Sequence, residues 1–212
     1  MPIVDLAFAL QPATIPLDYG YALFGALSRL VPELHGDRRI GVHPIRGIRT
    51  EPRRLTLVPQ SRLRIRLPSE EIGRYLKIAG RTLDLDGSRL AVGVPRVEPL
   101  RAASRLSSRL VTIGRLIEPE EVATSLRSQL AGLGVEGELG FLPSPDPDRP
   151  GQPSRKVIRI KGKRIVGYAV SVSGLTAEDS LRLQEHGLGS RRRMGCGVFV
   201  PLAPSRPEPA PV

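Results

Sequence analysis

Gly187-Leu188-Gly189-Ser190-Arg191-Arg192-Arg193-Met194-Gly195-Cys196-Gly197 runs directly into the apolar stretch Val198-Phe199-Val200-Pro201-Leu202. Four glycines bracket three consecutive arginines. Glycine admits positive φ and guanidinium groups grip phosphate in pairs, so the stretch reads as a cradle for an anion; the other reading is a basic loop without a ligand. Its neighbours decide between architectures. Thr176-Ala177-Glu178-Asp179 is a capping-box-like helix start, and the helix it opens ends at His186 and Gly187. Helix, glycine loop, strand is the reverse of the dinucleotide-binding order, whose third glycine would fall at Arg192, and no G-x-x-x-x-G-K-[ST] loop fits. A polyanion lying across a surface suits this polarity better than a nucleotide capping a helix.

Going back from that helix, residues 164–172 and 156–161 read as a hairpin around Gly162, tipped by Lys161, Lys163 and Arg164. Residues 143–153 are turn-formers, expected to be a mobile linker. A strand is expected at 135–142, a helix at 119–133 with Val122, Leu126 and Leu130 on one face, and a strand at 109–113. The first half repeats this order. Residues 3–10 read as a strand closed by Pro12; a helix over 17–31 carries Leu17, Tyr21, Phe24, Leu27 and Val31 on one face and stops before Pro32. A loop at 33–39 leads to strands at 40–45, 55–58 and 62–67. In the last of these, Leu63, Ile65 and Leu67 alternate with Arg62, Arg64 and Arg66, which predicts a core face and a ladder of positive charge, solvated or facing RNA. Ser69 is expected to cap a short helix, and 82–85 with 89–92 to form a hairpin around Asp86-Gly87-Ser88.

The order β-α-β-β-α-β thus occurs twice. It predicts an α+β protein of tandem ferredoxin-like domains at 1–100 and 101–202, followed by a disordered Pro-rich tail at 203–212. Two such sheets side by side leave an open face and a cleft.

Composition points to the partner. In 212 residues, 32 lysines and arginines face 21 acids, a net charge of +11, and arginine dominates the excess. Arginine favours bidentate phosphate contacts and base stacking, so nucleic acid is preferred to a membrane surface, for which no basic amphipathic helix stands out. One cysteine, Cys196, excludes an internal disulfide and a Cys-rich zinc site, and is read as a packing residue. The N-terminus shows no basic leader and no apolar run spans a membrane, so a cytoplasmic protein is expected.

The element order, the glycine–arginine loop before the last strand, Leu34-His35 after the first helix, Val42-His43-Pro44-Ile45-Arg46-Gly47 and Lys161-Gly162-Lys163 together resemble the CRISPR repeat-processing endoribonucleases of the RAMP superfamily, closest to the subtype MYXAN. The resemblance spans residues 3–202 in element order, and the final glycine loop is its most specific part. It implies metal-independent cleavage of precursor CRISPR RNA within repeats: a ribose 2′-hydroxyl attacks the adjacent phosphate and leaves a 2′,3′-cyclic phosphate. Such chemistry needs a base, an acid and positive charge near the phosphorane. The family's catalytic histidine follows the first helix in a Leu-His step, which falls on His35. His43 is the second catalytic candidate, as partner acid or base or as a strand residue before proline; His186, at a helix end, is read as structural.

The RNA contacts expected are Arg38 and Arg39, in place of the family's lysine; Lys161, Lys163 and Arg164; and Gly187, Gly189, Ser190, Arg191, Arg192, Arg193, Gly195 and Gly197. No metal and no other cofactor is expected. The partners implied are CRISPR repeat RNA, as precursor and as mature product, and other subunits of a CRISPR effector complex. The competing functions are a non-catalytic RNA-binding subunit of such a complex and, more distantly, a basic RNA- or ribosome-associated protein.

Overall fold

A computed structural model describes residues 1–202, so the expected tail at 203–212 lies outside the described residues. The first strand, β1 (Ile3–Leu10), puts Val4, Leu6, Phe8 and Leu10 on one face, all buried, and Asp5, Ala7 and Ala9 on the other. After β2 (Thr14–Pro16) comes α1 (Gly20–Leu30), which buries Leu23, Phe24, Ala26 and Leu27. The helix begins three residues later than expected because residues 14–16 are drawn into a sheet and the Leu17 N–H is held by the Arg53 carbonyl at 2.7 Å. Its end is local chemistry: Val31, ahead of Pro32, is forced to an extended φ of −132°, and the chain restarts as a 3-10 turn over Pro32–His35.

β3 (Gly41–Val42), β4 (Ile48–Glu51), β5 (Arg54–Thr56), β6 (Arg62–Pro68), a short α2 (Ile72–Tyr75), β7 (Thr82–Leu85) and β8 (Ser88–Pro99) complete the first half. The main sheet runs β3-β6-β1-β8-β7, antiparallel throughout. Counting β3, β6 and β8 as the second, third and fourth strands of the motif, that is the 2-3-1-4 order of a ferredoxin-like domain. β2, β5 and β4 form a separate small sheet. Ser69 does not cap the short helix; its backbone N–H bonds the Pro2 carbonyl instead.

The second half repeats the order with β9 (Arg105–Val111), α3 (Pro119–Gly132), β10 (Glu138–Phe141), β11 (Arg155–Ile160), β12 (Lys163–Ser173), α4 (Ala177–His186) and β13 (Val200–Pro201). Its sheet runs β10-β12-β9-β13, again 2-3-1-4, with β11 added beside the first half of β12. Thr176 caps α4 as its sequence implies: its Oγ1 accepts the Asp179 N–H at 3.1 Å and donates to Asp179 Oδ2 at 2.7 Å. Each half buries its own core, the first within residues 4–92 and the second within 106–199.

The expected linker at 143–153 closes on itself. Ser144 N–H bonds the Gln152 carbonyl and Ser154 N–H the Leu142 carbonyl, both at 2.8 Å, so the segment leaves and rejoins the sheet at one place.

Candidate active site and basic cleft

The glycine–arginine loop is the seam between the halves. Its 3-10 turn, Arg192–Met194, lies between two left-handed residues, Arg191 at φ 66° and Gly195 at φ 86°. The flanking glycines do not open the backbone to an anion as the sequence suggests. A Cβ on Gly187 would collide with the Gly197 carbonyl, and one on Gly197 with the Leu188 carbonyl, so these glycines let the two limbs of the loop close on each other.

Nor do the three guanidinium groups converge. Arg191 donates to the hydroxyls of Thr112 and Ser190, at 3.2 and 2.8 Å. Arg192 reaches back to the end of α4, donating to the Glu185 carbonyl at 2.8 Å, with its Nε buried and without a partner. Burial, reinforced by the charge of Arg66, pulls the Arg192 pKa down to about 10, so it stays charged at neutral pH. Arg193 crosses to the first half, where its Nη1 donates to the Leu34 carbonyl at 2.9 Å and to the carbonyl of His35. The expectation of a common phosphate cradle is corrected accordingly: each arginine has protein acceptors of its own.

His35, the last residue of the 3-10 turn, is exposed, with its ring centroid 5.6 Å from that of Phe24. His43 is not equivalent to it. It is 6% exposed, and its Nε2 lies 3.1 Å from Asp5 Oδ1. Burial pushes its pKa down against the pull of Asp5, so it is neutral at pH 7. His43 lies on the wall of the cleft between the halves, beside Pro44, but the ring nitrogen that a partner acid or base would use is already engaged by Asp5. Tyr19, just ahead of α1, is closed as well: its hydroxyl both accepts the Ile45 N–H and donates to the Ile45 carbonyl, and burial raises its pKa to about 12.

Asp5 belongs to a network absent from the sequence reading. Arg66 stands directly opposite it across β1 and β6 and binds it bidentately, Nε to Oδ1 at 2.8 Å and Nη2 to Oδ2 at 2.9 Å. Arg66 Nη1 then donates to the carbonyls of Gln184, at 2.9 Å, and Phe199, at 2.7 Å, in the second half. The ladder of positive charge expected on β6 is therefore corrected. Arg62 bonds the Pro59 and Ser61 carbonyls, Arg64 pairs with Glu98, and Arg66 is 1% exposed because the second half covers that end of the sheet. Burial raises the Asp5 carboxyl, but His43 and Arg66 outweigh it and hold it well below the usual carboxylate range.

The sign of the resulting pH dependence follows. Both folded-state pKa values lie below the unfolded ones, so the unfolded chain takes up protons first, and stability is lost as pH falls. The His43 contribution is complete above its ordinary 6.5 and erodes below it; the Asp5 contribution is complete above its ordinary 3.8 and erodes below that. Urea denaturation between pH 7.5 and 4.5 should show stability declining with acid, and His43→Asn should flatten the slope near pH 6.5. An identical slope in the variant would remove His43 as the source.

Between the halves lies a cleft of about 880 Å³ whose walls carry nine lysines and arginines against two aspartates. Arg49, Arg53 and Arg54 come from the small sheet of the first half; Arg109, Arg155, Lys156, Arg159 and Arg164 come from the second, and Arg149 from the closed loop. Burial, then the charges of Arg109 and Arg49, lower the Lys156 pKa, as crowded positive charge does. Met194 and Gly195 border the same cleft, next in the chain to the arginine that holds His35. Arg49, Arg109 and Arg149 are scattered singly in the sequence; the Arg53-Arg54 step and the basic strand over Arg155–Ile160 are local clusters, and Arg164 belongs to the hairpin tip expected to contact RNA.

Of the other expected RNA contacts, Lys161, Lys163 and Arg164 are exposed at the β11–β12 turn, where Lys161 takes a left-handed φ of 50°. Arg38 is exposed too, whereas Arg39 is matched by Asp37, Glu70 and Glu71, so its charge is spent locally. Gly189 lies against the Thr112 carbonyl and Ser190 bonds Thr112 through backbone and side chain. Cys196 is fully buried and burial raises its thiol to about 12, the setting of a packing residue. Among the described residues no group of three or more His, Cys, Asp or Glu is gathered as a metal site, and no helix is long and apolar enough to cross a membrane.

Residues 4–203 match the protein family described as Cas6 Crispr. The chain belongs to the Cas6 family. A CRISPR-associated endonuclease Cas6 of Myxococcus xanthus (strain DK1622) is 37% identical over 201 residues, covering 95% of this chain and 82% of that protein. Among solved structures, a Cas6-related protein from Pyrococcus furiosus superposes with a TM-score of 0.67 at 13% identity, over 96% of this chain and 100% of the other. A RAMP protein that binds different RNA substrates gives a TM-score of 0.66 at 11% identity, over 93% of this chain and 98% of the other. At those identities the likeness is one of fold, the tandem ferredoxin-like arrangement.

Proposed function

We propose that the protein is an endoribonuclease that binds CRISPR repeat RNA in the basic cleft and cuts it with His35. The observation that carries this reading is a continuity. The loop whose Met194 and Gly195 border the cleft also holds, through Arg193, the turn that ends in the exposed His35. Phosphates enter the cleft because nine cations there face two acids. The β11–β12 turn, with Lys161 and Lys163, and Arg38 near His35 extend the basic surface beyond it.

The reaction needs no water. The ribose 2′-oxygen loses its proton to the His35 imidazole and bonds to the adjacent phosphorus, while the bond from phosphorus to the 5′-oxygen breaks and that oxygen takes a proton. The products are a 2′,3′-cyclic phosphate on the upstream fragment and a 5′-hydroxyl on the downstream one. Protein cations near the phosphorane supply the charge that a metal would otherwise bring.

Incubation of the purified protein with an end-labelled repeat RNA in EDTA is the test. A single cut with a cyclic phosphate is expected, and a 2′-deoxy nucleotide just upstream of it should abolish cutting without weakening binding. Cleavage that survives the deoxy substitution would reject the mechanism; tight binding without any cut would reassign the protein to the non-catalytic subunit class.

A further inference from the structure

The turn that carries His35 is anchored in the first core by Leu34, but its last carbonyls are left open. Pro32–His35 is a single 3-10 turn, and the carbonyls of Leu34 and His35 at its end have no acceptor role within the turn. Arg193, from the other domain, supplies the donor for both. Its guanidinium carbon also lies 5.7 Å from the centre of the Phe24 ring, and the same ring stacks at 5.6 Å and 34° against the His35 imidazole. Phe24 is itself 7% exposed and anchored in the first core. Arginine and histidine therefore both lie against the Phe24 ring, the cation delivered by the glycine loop.

We propose that Arg193 is a positioning residue for His35 rather than an RNA contact: by holding the end of the turn and pressing on Phe24, it sets where the imidazole meets the RNA. The backbone makes this possible. Arg191 and Gly195 both take left-handed conformations, so the three residues between them turn tightly and project Arg193 across the seam. The loop is seated by Gly20 at the start of α1, where any Cβ would fall 2.7 Å from the Met194 carbonyl. The second domain thus takes part in placing a proton-transfer group of the first, and loss of that placement should appear in the chemical step. The inference rests on His35 acting in cleavage, as proposed above.

The test is a double-mutant cycle on single-turnover cleavage at saturating protein, with RNA affinity measured alongside. Arg193→Ala should slow cleavage about 10- to 100-fold, the scale of an ångström-sized misplacement, with Kd changed less than twofold. Arg193→Lys, which keeps the charge and loses the planar fork, should recover part of the rate, and it also serves if the alanine variant folds poorly. In a His35→Ala background, Arg193→Ala should slow cleavage no further, because the group it positions is gone. An equal additional loss in that background, or a loss confined to Kd, would overturn the inference and return Arg193 to the RNA contacts. Unchanged cleavage by His35→Ala alone would instead overturn the assignment of His35 and the inference with it.

Discussion

His35→Ala should lower the single-turnover rate of repeat cleavage by about 10²–10⁴-fold while RNA affinity stays within a factor of two, the loss typical of a missing proton-transfer group. The side chain is exposed, so its removal leaves no core cavity, and the bonds that tie the turn to Arg193 are made by backbone carbonyls that alanine retains. Folding and the cleft should therefore be untouched, which gives the experiment its contrast. Rates are to be read with protein in excess of RNA, so that product release does not mask the chemical step. Cleavage at the wild-type rate would dismiss His35. The same substitution at His43 should behave otherwise, because its ring sits in a buried network with Asp5, and its loss should appear in stability.

Arg66→Ala should cost about 3–5 kcal/mol of folding stability, the scale for removing one partner of a buried ion pair. Four of its N–H bonds are used, two on Asp5 and one each on the Gln184 and Phe199 carbonyls, and all four are lost together. Asp5, buried in the intact protein, would be left with His43 as its partner. Against a typical total of about 5–15 kcal/mol, that loss should be visible in a urea titration. Asp5→Leu combined with Arg66→Met should be milder than Arg66→Ala alone, because no charge is left stranded. It should still fall short of the wild type, since the Phe199 carbonyl loses its donor and the Gln184 carbonyl keeps only the 3.5 Å bond from Arg192. A cost below about 1 kcal/mol for Arg66→Ala would show that solvent replaces the guanidinium and that the pair does not join the domains.

Much of this was legible along the chain. The alternation Leu63, Ile65, Leu67 marked the core face of β6, and those residues are fully buried. Pro32 ended α1, Thr176 capped α4, and Asp86-Gly87 and Lys161-Gly162 turned their hairpins with positive φ at both central residues. Such signals are local, set by sterics and hydrogen bonds within a few residues. The misreadings were of partners. Arg66 lies on the polar face that alternation implies, yet another domain covers that end of the face. Asp5, a lone acid in an apolar strand, was the one hint that a buried counter-charge existed.

The site divides in the same way. His35 could be singled out because a Leu-His step after the first helix carries a family likeness. Of the nine cations of the cleft Arg164 could be, as part of a basic hairpin tip; Arg49, Arg109 and Lys156 could not, because they lie on separate strands and meet only when two sheets pack side by side.

By itself, then, the order of residues determined the two βαββαβ repeats, their turns and the excess of positive charge, all consequences of short-range periodicity and composition. Only the tertiary structure decided which arginines are spent on protein and which are left open in the cleft. That choice depends on what each guanidinium meets across the seam between the domains: a carboxylate, a carbonyl, an aromatic ring or open water.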